Sequence, residues 1–391
     1  MTPARSAHAP LLLLVLLLGV ALLSGCASTG PQPRAERPLT FVPPPASPPL
    51  TVKDNLNVQV PTAADNRPAP DVWTHIARNY RLGFDPDRPR IARERQRYTR
   101  HPAYFRKVTE RARPYLYHIL QVLEAEKLPP ELALLPFIES AYIVDARSRS
   151  GAAGLWQFIP PTAANFGLAM EHGYDERLDV VASTRAAARY LRHLKEAFDG
   201  DWLLALAAYN TGEQNVRRAI ERNQARGEPV DFWHLDLPAE TRDYVPRFLA
   251  VLSLVADPEA YQVAPAPVPN QRYFTTFAVR GRISLEKLAR YARLDPAELL
   301  RLNAAFRHGI TPADRTVQLA VPLKAASVIA QLNFSERTPA VVAANVHRVR
   351  KGETLSQISR RYGVPLIKIK ASNRLKGDRI RVGQTLTIPD S

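Results

Sequence analysis

Glu139 closes the run PPELALLPFIES at residues 129–140, and a carboxyl that follows so apolar a stretch is the group in this 391-residue chain best placed to move a proton. Apolar neighbours disfavour the anion, so its pKa should rise. A rise of about 3 units, worth about 4 kcal/mol, keeps it protonated at neutral pH, which is how a general acid is made. A helix-end glutamate is also commonly a solvated or salt-bridged surface group, and the run alone does not separate the two. Two further clusters carry ligand-binding chemistry. In SRSGAAGLWQFIP, residues 148–160, small residues let backbone approach a ligand, Trp156 and Phe158 offer apolar walls, and Gln157 supplies both a donor and an acceptor. LAAYNTG at 206–212 and ETRDYV at 240–245 add Tyr209, Asn210, Glu240 and Tyr244, each tyrosine having core packing as its plainer alternative.

These residues need a helical scaffold, and the text supplies one from residue 71 to 257. Apolar residues recur every three or four positions in 103–127, 183–199 and 240–255, with Tyr115, Ile119, Val122 and Leu123 forming one stripe and Tyr190, Leu191, Leu194 and Phe198 another. Gly200 and Gly212 stand where helices should stop, and Asp201 is placed to cap the next one. Before this domain, eleven prolines in the forty residues 31–70 exclude a packed unit, so residues 26–70 form an extended tether. After it, Pro258 to Pro269 make a second joint.

Composition narrows the classes. A single cysteine excludes an intrachain disulfide framework and any multi-thiolate metal site, and no two of the nine histidines stand four apart, so neither metal nor cofactor is expected. The formal charge of +16 suits an anionic partner: nucleic acid, a membrane surface or an acidic polymer. The cysteine ends a leader in which Arg5 precedes an apolar run, Leu11 to Leu23, too short to span a bilayer, which needs about 20 residues. Leu23-Ser24-Gly25-Cys26 resembles a bacterial lipobox, the alternative being a plain signal peptide with an incidental cysteine. The resemblance implies removal of residues 1–25, lipidation of Cys26 and, with Ala27 next rather than aspartate, an outer-membrane anchor facing the periplasm. The mature chain would keep +15.

Beyond residue 270 one unit occurs twice. At an offset of 70, Leu285 pairs with Leu355, Leu288 with Ile358, Leu294 with Val364, Leu299 with Ile369 and Asn303 with Asn373. Each copy ends in a short alternating strand, with three extra residues in the first copy's last loop, so each reads as strand, two helices, strand. The second copy, residues 345–390, contains HRVRKGETLSQISRRYGV from 347 and IRVGQTLTIP from 380 and resembles a LysM module, a βααβ unit of a family that binds N-acetylglucosamine polymers. That resemblance implies glycan contacts from Gly352, Glu353 and Thr354 and from Asn373, Arg374 and Leu375, although Thr354 is equally placed to cap a helix. In the first copy, residues 272–322, the turn has become Gly281-Arg-Ile-Ser-Leu, leaving a degenerate sugar binder or a spacer.

Taken together, E-S, then G-L-x-Q-F-x-P fifteen residues on, then A-Y-N-x-G and E-T-R-x-Y-V resemble the catalytic domain of family 1 lytic transglycosylases across residues 125–255; with the lipobox and LysM unit, the likeness is to the membrane-bound D type. The expected fold is mainly α: a lysozyme-like all-α domain followed by small βααβ modules, α+β as a whole. The resemblance makes Glu139 the acid and base, and assigns substrate binding to Ser148, Gln157, Tyr190, Tyr209, Asn210 and Glu240. Where soluble relatives read Gly-Leu-Met and a second Met, this chain has Trp156 and Ile159, a change expected in the sugar-facing wall.

Ordinary glycosidases use two carboxylates. A single acid implies that Glu139 protonates the bond between N-acetylmuramic acid and N-acetylglucosamine, then takes the proton of the muramic acid 6-hydroxyl as it closes on C1 to a 1,6-anhydro end. The alternatives are a hydrolytic muramidase of the same fold and a non-catalytic wall-binding lipoprotein. A nucleic-acid role for Arg88, Arg90, Arg93, Arg95, Arg97 and Arg100 lacks an aromatic platform and suits no exported protein; a carboxylate-seeking face toward stem peptides fits them better. Peptidoglycan strands and, through Cys26, a membrane are thus the expected partners.

Overall fold

The computed structural model describes residues 69–171, 173–332, 334 and 342–389. The leader, Cys26 and the tether up to residue 68 lie outside the described residues. Among those described, no helix is long and apolar enough to cross a membrane.

Ten helices build the first domain: α1 (Val72–Asn79), α2 (Pro89–Thr99), α3 (Pro102–Ala112), α4 (Leu116–Ala125), α5 (Leu135–Ser140), α6 (Pro160–Asn165), α7 (Val180–Ala197), α8 (Trp202–Thr211), α9 (Glu213–Gln224) and α10 (Ala239–Ala256). The periodic stretch 103–127 holds two helices. Pro114 has no N–H and its ring crowds the preceding turn, so α3 stops at Ala112 and α4 starts at Leu116. Asp201 caps α8, its Oδ1 accepting from the amides of Leu203 and Leu204 at 2.9 and 3.0 Å, and Asp179 caps α7 in the same way. The middle of helix α8, Leu204 to Ala208, is apolar on every face and buried, with α7, α9 and α10 packed around it. One short antiparallel hairpin, β1 (Met170–Glu171) and β2 (Tyr174–Asp175), interrupts the helices.

Both copies of the repeat have the expected order. In the first, β3 (Phe274–Arg280) pairs antiparallel with β4 (Thr316–Pro322) around α11 (Leu285–Tyr291) and α12 (Pro296–Leu302). In the second, β5 (Asn345–Arg348) pairs with β6 (Thr385–Ile388) around α14 (Leu355–Tyr362) and α15 (Leu366–Ser372). The register repeats as well: Phe277 faces Leu319, and His347 faces Leu386. An element absent from the sequence reading, α13 (Leu323–Ala330), packs Ala325 and Ile329 into the first copy's core, so that unit runs past Pro322. Phe274, Leu302 and Ala320 of the first copy join the core of the helical domain, and Tyr174 stacks on Phe306 at 5.1 Å, so the first copy is fastened to that domain; the second has its own small core.

Candidate active site

A 3₁₀ turn over Pro130–Leu134 runs straight into α5 and carries Glu139 to its C-terminal end. The helix ends because Ala141 and Tyr142 both have positive φ, 49° and 53°. That turn is held from both sides: the Tyr142 hydroxyl donates to Ala133 O at 2.7 Å, and the Ser140 hydroxyl donates to Leu155 O at 2.9 Å. Ser140 therefore fixes the spacing between Glu139 and the second cluster.

The 148–160 segment is a backbone cradle. Ser148 accepts from Ala152 N at 2.9 Å and shares a hydrogen bond with Ser150, so its hydroxyl serves the turn. Gly154 has φ 85°, and a Cβ there would lie 1.8 Å from Arg177 O, which excludes any other residue. Buried Arg177 staples the cradle, donating from Nη1 to Gly151 O at 2.8 Å and to Phe158 O at 3.2 Å, and from Nε to Asp175 Oδ1 at 2.9 Å. Gln157, at φ 49°, donates from Nε2 to Gly154 O at 2.8 Å and to Ala146 O at 3.3 Å.

The expected apolar wall is elsewhere. Trp156 is 0% and Phe158 2% exposed, with the indole N–H donating to Thr184 Oγ1 at 3.1 Å; both side chains belong to the core. The tryptophan thus changes packing behind the cradle and does not line its sugar-facing side, while Ile159 stays 42% exposed. What Trp156 presents toward α8 is its carbonyl, which accepts from the Tyr209 hydroxyl at 2.8 Å.

Tyr190 of α7 lies with its ring centroid 5.2 Å from Tyr209 and 4.8 Å from Phe166. Asn210 Oδ1 accepts from Thr241 Oγ1 at 2.8 Å and so ties α8 to the first turn of α10, where Glu240 is exposed. One turn on, the Tyr244 hydroxyl donates to Glu139 Oε1 at 2.5 Å. Its motif is visible in the sequence, but the partner becomes visible only when α10 is packed on α5. Burial pushes the Glu139 carboxyl up to about 7 from 4.5; the Tyr244 hydrogen bond opposes that rise, Glu240 adds to it and Arg247 opposes it. Burial also pushes the Tyr190 hydroxyl up to about 12, and burial together with the Glu139 charge holds Tyr209 and Tyr244 well above the usual tyrosine value. Both tyrosines stay hydrogen-bond donors at any physiological pH.

In the second repeat Gly352 has φ 82°, and the Glu353 carboxylate accepts from Arg350 N at 2.7 Å and lies 2.8 Å from His347 Nε2. Thr354 caps α14 in a reciprocal box with Gln357. Asn373 Nδ2 donates to Ile369 O and Thr387 O, and its Oδ1 accepts from Thr387 N, so the amide locks α15 to β6. Arg374 follows at φ 57°, and Leu375 packs against the module core. The side chains of Glu353, Thr354 and Asn373 build these two turns, and Arg374 is exposed.

Such an arrangement, a helix-end glutamate beside a glycine cradle with tyrosines from three later helices, defines a lysozyme-like transglycosylase domain followed by LysM-type modules. Residues 121–232 match the Transglycosylase SLT domain family, 347–389 the LysM domain family, and 273–336 the family described as Lytic transglycosylase MltD, LysM-like domain. Membrane-bound lytic murein transglycosylase D of Escherichia coli K12 is 36% identical over 383 residues, covering 95% of this chain and 84% of that protein. The chain belongs to the membrane-bound lytic murein transglycosylase D family. Soluble lytic murein transglycosylase of Salmonella typhimurium is 31% identical over 116 residues, 29% of this chain and 18% of its own. Among solved structures, the lytic transglycosylase Slt of Pseudomonas aeruginosa matches 41% of this chain and 26% of its own at 26% identity, with a TM-score of 0.29.

Proposed function

We propose that this chain cleaves the β-1,4 bond between N-acetylmuramic acid and N-acetylglucosamine in peptidoglycan and leaves a 1,6-anhydro end, with Glu139 as the single acid and then base. The observation that carries the reading is the setting of the carboxyl: Tyr244 holds one of its oxygens at 2.5 Å, and burial pushes its pKa up to about 7. At such a pKa either protonation state is cheap to reach. Glu139 gives its proton to the glycosidic oxygen, and the 4-hydroxyl of N-acetylglucosamine leaves. The carboxylate then takes the proton of the muramic acid 6-hydroxyl as O6 bonds to C1. No water is consumed, and intramolecular attack has an advantage of up to about 7–11 kcal/mol.

In this reading Tyr190 and Tyr209 wall the sugar site, the Gln157 amide and Ser148 turn meet the N-acetyl group, and Glu240 and Asn210 hold the α10 side. The main-chain groups of Gly352–Thr354 and Asn373–Leu375 grip glycan, and Cys26 anchors the chain at the outer membrane, facing the periplasm. Digestion of purified sacculi by wild type and Glu139→Gln tests the chemistry. Anhydro ends from wild type alone are expected, with Glu139→Gln at least about 100-fold slower. Only reducible muramic acid ends would make the chain a muramidase, and equal clearing by both proteins would make it a non-catalytic binder. Fractionation of a Cys26→Ser protein checks the anchor, since it should leave the membrane fraction.

A further inference from the structure

An open cavity of about 640 Å³ lies where the end of α2 meets the start of α3, lined by Glu94, Arg97, Arg100, His101, Tyr104 and Arg247 among others. Its charge is lopsided. Glu94, 2% exposed, is the one carboxylate in the lining, and two guanidinium groups share it: Arg97 Nη1 at 3.0 Å and Arg247 Nε at 3.4 Å. The Arg97 side chain is nonetheless 60% exposed, and no ion pair of Arg100 is found among the described residues. Tyr104 adds a ring that is 47% exposed. Three guanidinium groups around one buried carboxylate leave capacity for another anion, and an exposed ring beside them suits a ligand with apolar parts.

The cavity is lined in part by residues on, or packed against, the helices that carry the Glu139 site. Arg247 stands three residues beyond Tyr244 on α10, about 4.5 Å along the axis. Tyr98, also in the lining, packs edge-on against Phe137 at 5.4 Å, and Phe137 lies two residues before Glu139 on α5. A muramic acid ring seated at Glu139 would carry a substituent into this space within a few residues, each extending about 3.4 Å.

We propose that this cavity binds the acidic stem peptide of the substrate, so that the enzyme reads the peptide on a saccharide next to the bond it cuts. This rests on the proposed function and deepens it. The amino sugars of a peptide-bearing strand are neutral, the muramic acid lactyl group being amidated by the peptide, whereas stem peptides bear carboxylates that match Arg97, Arg100 and Arg247 and methyl groups that match Tyr104. Arg247 serves both neighbourhoods, since its charge also acts on Glu139.

The test compares peptide-bearing glycan strands with strands stripped by an amidase; the latter keep the scissile bond and carry a free lactyl carboxylate where the amide to the peptide was. Wild type should release anhydro ends faster from peptide-bearing strands. Arg97→Gln with Arg100→Gln should lower kcat/KM on those strands about fivefold, mainly through KM, and leave stripped strands unchanged. Arg100→Glu, at a residue with no ion pair among the described residues, should lose more at low salt than at high salt and keep the wild-type melting temperature. Equal wild-type rates on both substrates, or equal slowing of both by the double variant, overturns the proposal. Binding to the Glu139→Gln protein separates it from the reading of the chemistry: tighter binding of peptide-bearing strands, lost with the two arginines, is required whatever products wild type makes.

Discussion

The Tyr244 hydroxyl donates a hydrogen bond to Glu139 Oε1 at 2.5 Å across 105 residues of sequence, and that bond is the largest influence opposing the rise that burial gives the carboxyl. Burial favours the neutral acid, whereas a hydrogen bond donated to the carboxylate favours the anion. The balance stands at about 7. Without the hydroxyl the acid would form more readily and give up its proton less readily.

Tyr244→Phe is therefore expected to move the alkaline limb of the pH–rate profile upward. The proposed first step uses protonated Glu139, so on that reading activity falls as pH rises through its pKa. Hydrogen bonds to charged groups contribute about 1.5–3 kcal/mol, which corresponds to about one to two pH units. Initial rates of anhydro-end release from pH 5 to 10 check this, and a limb that stays put or moves down sinks the assignment.

The same carboxyl should cost stability. Its folded pKa of about 7 lies above the ordinary 4.5, so between these values the folded chain holds a proton that the unfolded chain has lost. Stability attributable to Glu139 thus falls as pH rises through that window, by about 3 kcal/mol once both states are ionised, an upper figure for a group partly open to solvent. Glu139→Gln removes the ionisation. The variant should melt higher than wild type at pH 8 and close to it at pH 4. A variant that melts lower at pH 8 would mean that the ionised carboxylate is stabilised in place.

What could be read from the sequence follows the range of each interaction. Asp201 as a cap and the offset of 70 between repeats are local or periodic features, and Asn303 and Asn373 do make equivalent bonds, to Leu299 and Ala320 in one copy and to Ile369 and Thr387 in the other. Glu139 was legible because an apolar run marks a buried helix end. Trp156 and Phe158 face the core and not the ligand side that the sequence suggests, since two aromatics in a glycine-rich loop carry no period to say which way they face; the Trp156 indole is taken by Thr184, 28 residues on. Tyr244, Arg177 and Ser140 act through contacts that only packing creates, though Ser140 stood beside Glu139 throughout.

Gly154 and Gly151 form a matched pair of tests for the cradle. Both have φ 85°, so alanine at either must accept a left-handed backbone, at about 1 kcal/mol or slightly more. At Gly151 nothing lies within 4 Å of the added methyl, and that cost is the whole effect. At Gly154 the methyl would meet Arg177 O at 1.8 Å, and backbone must move to admit it. Gly154→Ala should lose about 3 kcal/mol or more and nearly all activity, against a mild loss for Gly151→Ala. Thermal melts of the two proteins decide it, and similar melting temperatures would mean that the cradle is not held by Arg177.

Asn303 and Asn373 should differ in consequence although their bonds are alike. Each alanine variant removes one amide that bonds a helix carbonyl and both main-chain groups of a strand residue, a loss of about 2–4 kcal/mol when those groups stay buried. The second module has seven buried apolar residues among those described, a core too small to absorb such a loss. Asn373→Ala should unfold that module, releasing the chain from insoluble peptidoglycan in pull-down while the helical domain melts as before. The first module shares Phe274, Leu302 and Ala320 with the helical core, and its strand β4 is held on a larger surface. Asn303→Ala should therefore lower the main melting transition by a few degrees and leave glycan retention intact. If Asn303→Ala released the chain as Asn373→Ala does, the first module would be a glycan binder in its own right and not a spacer.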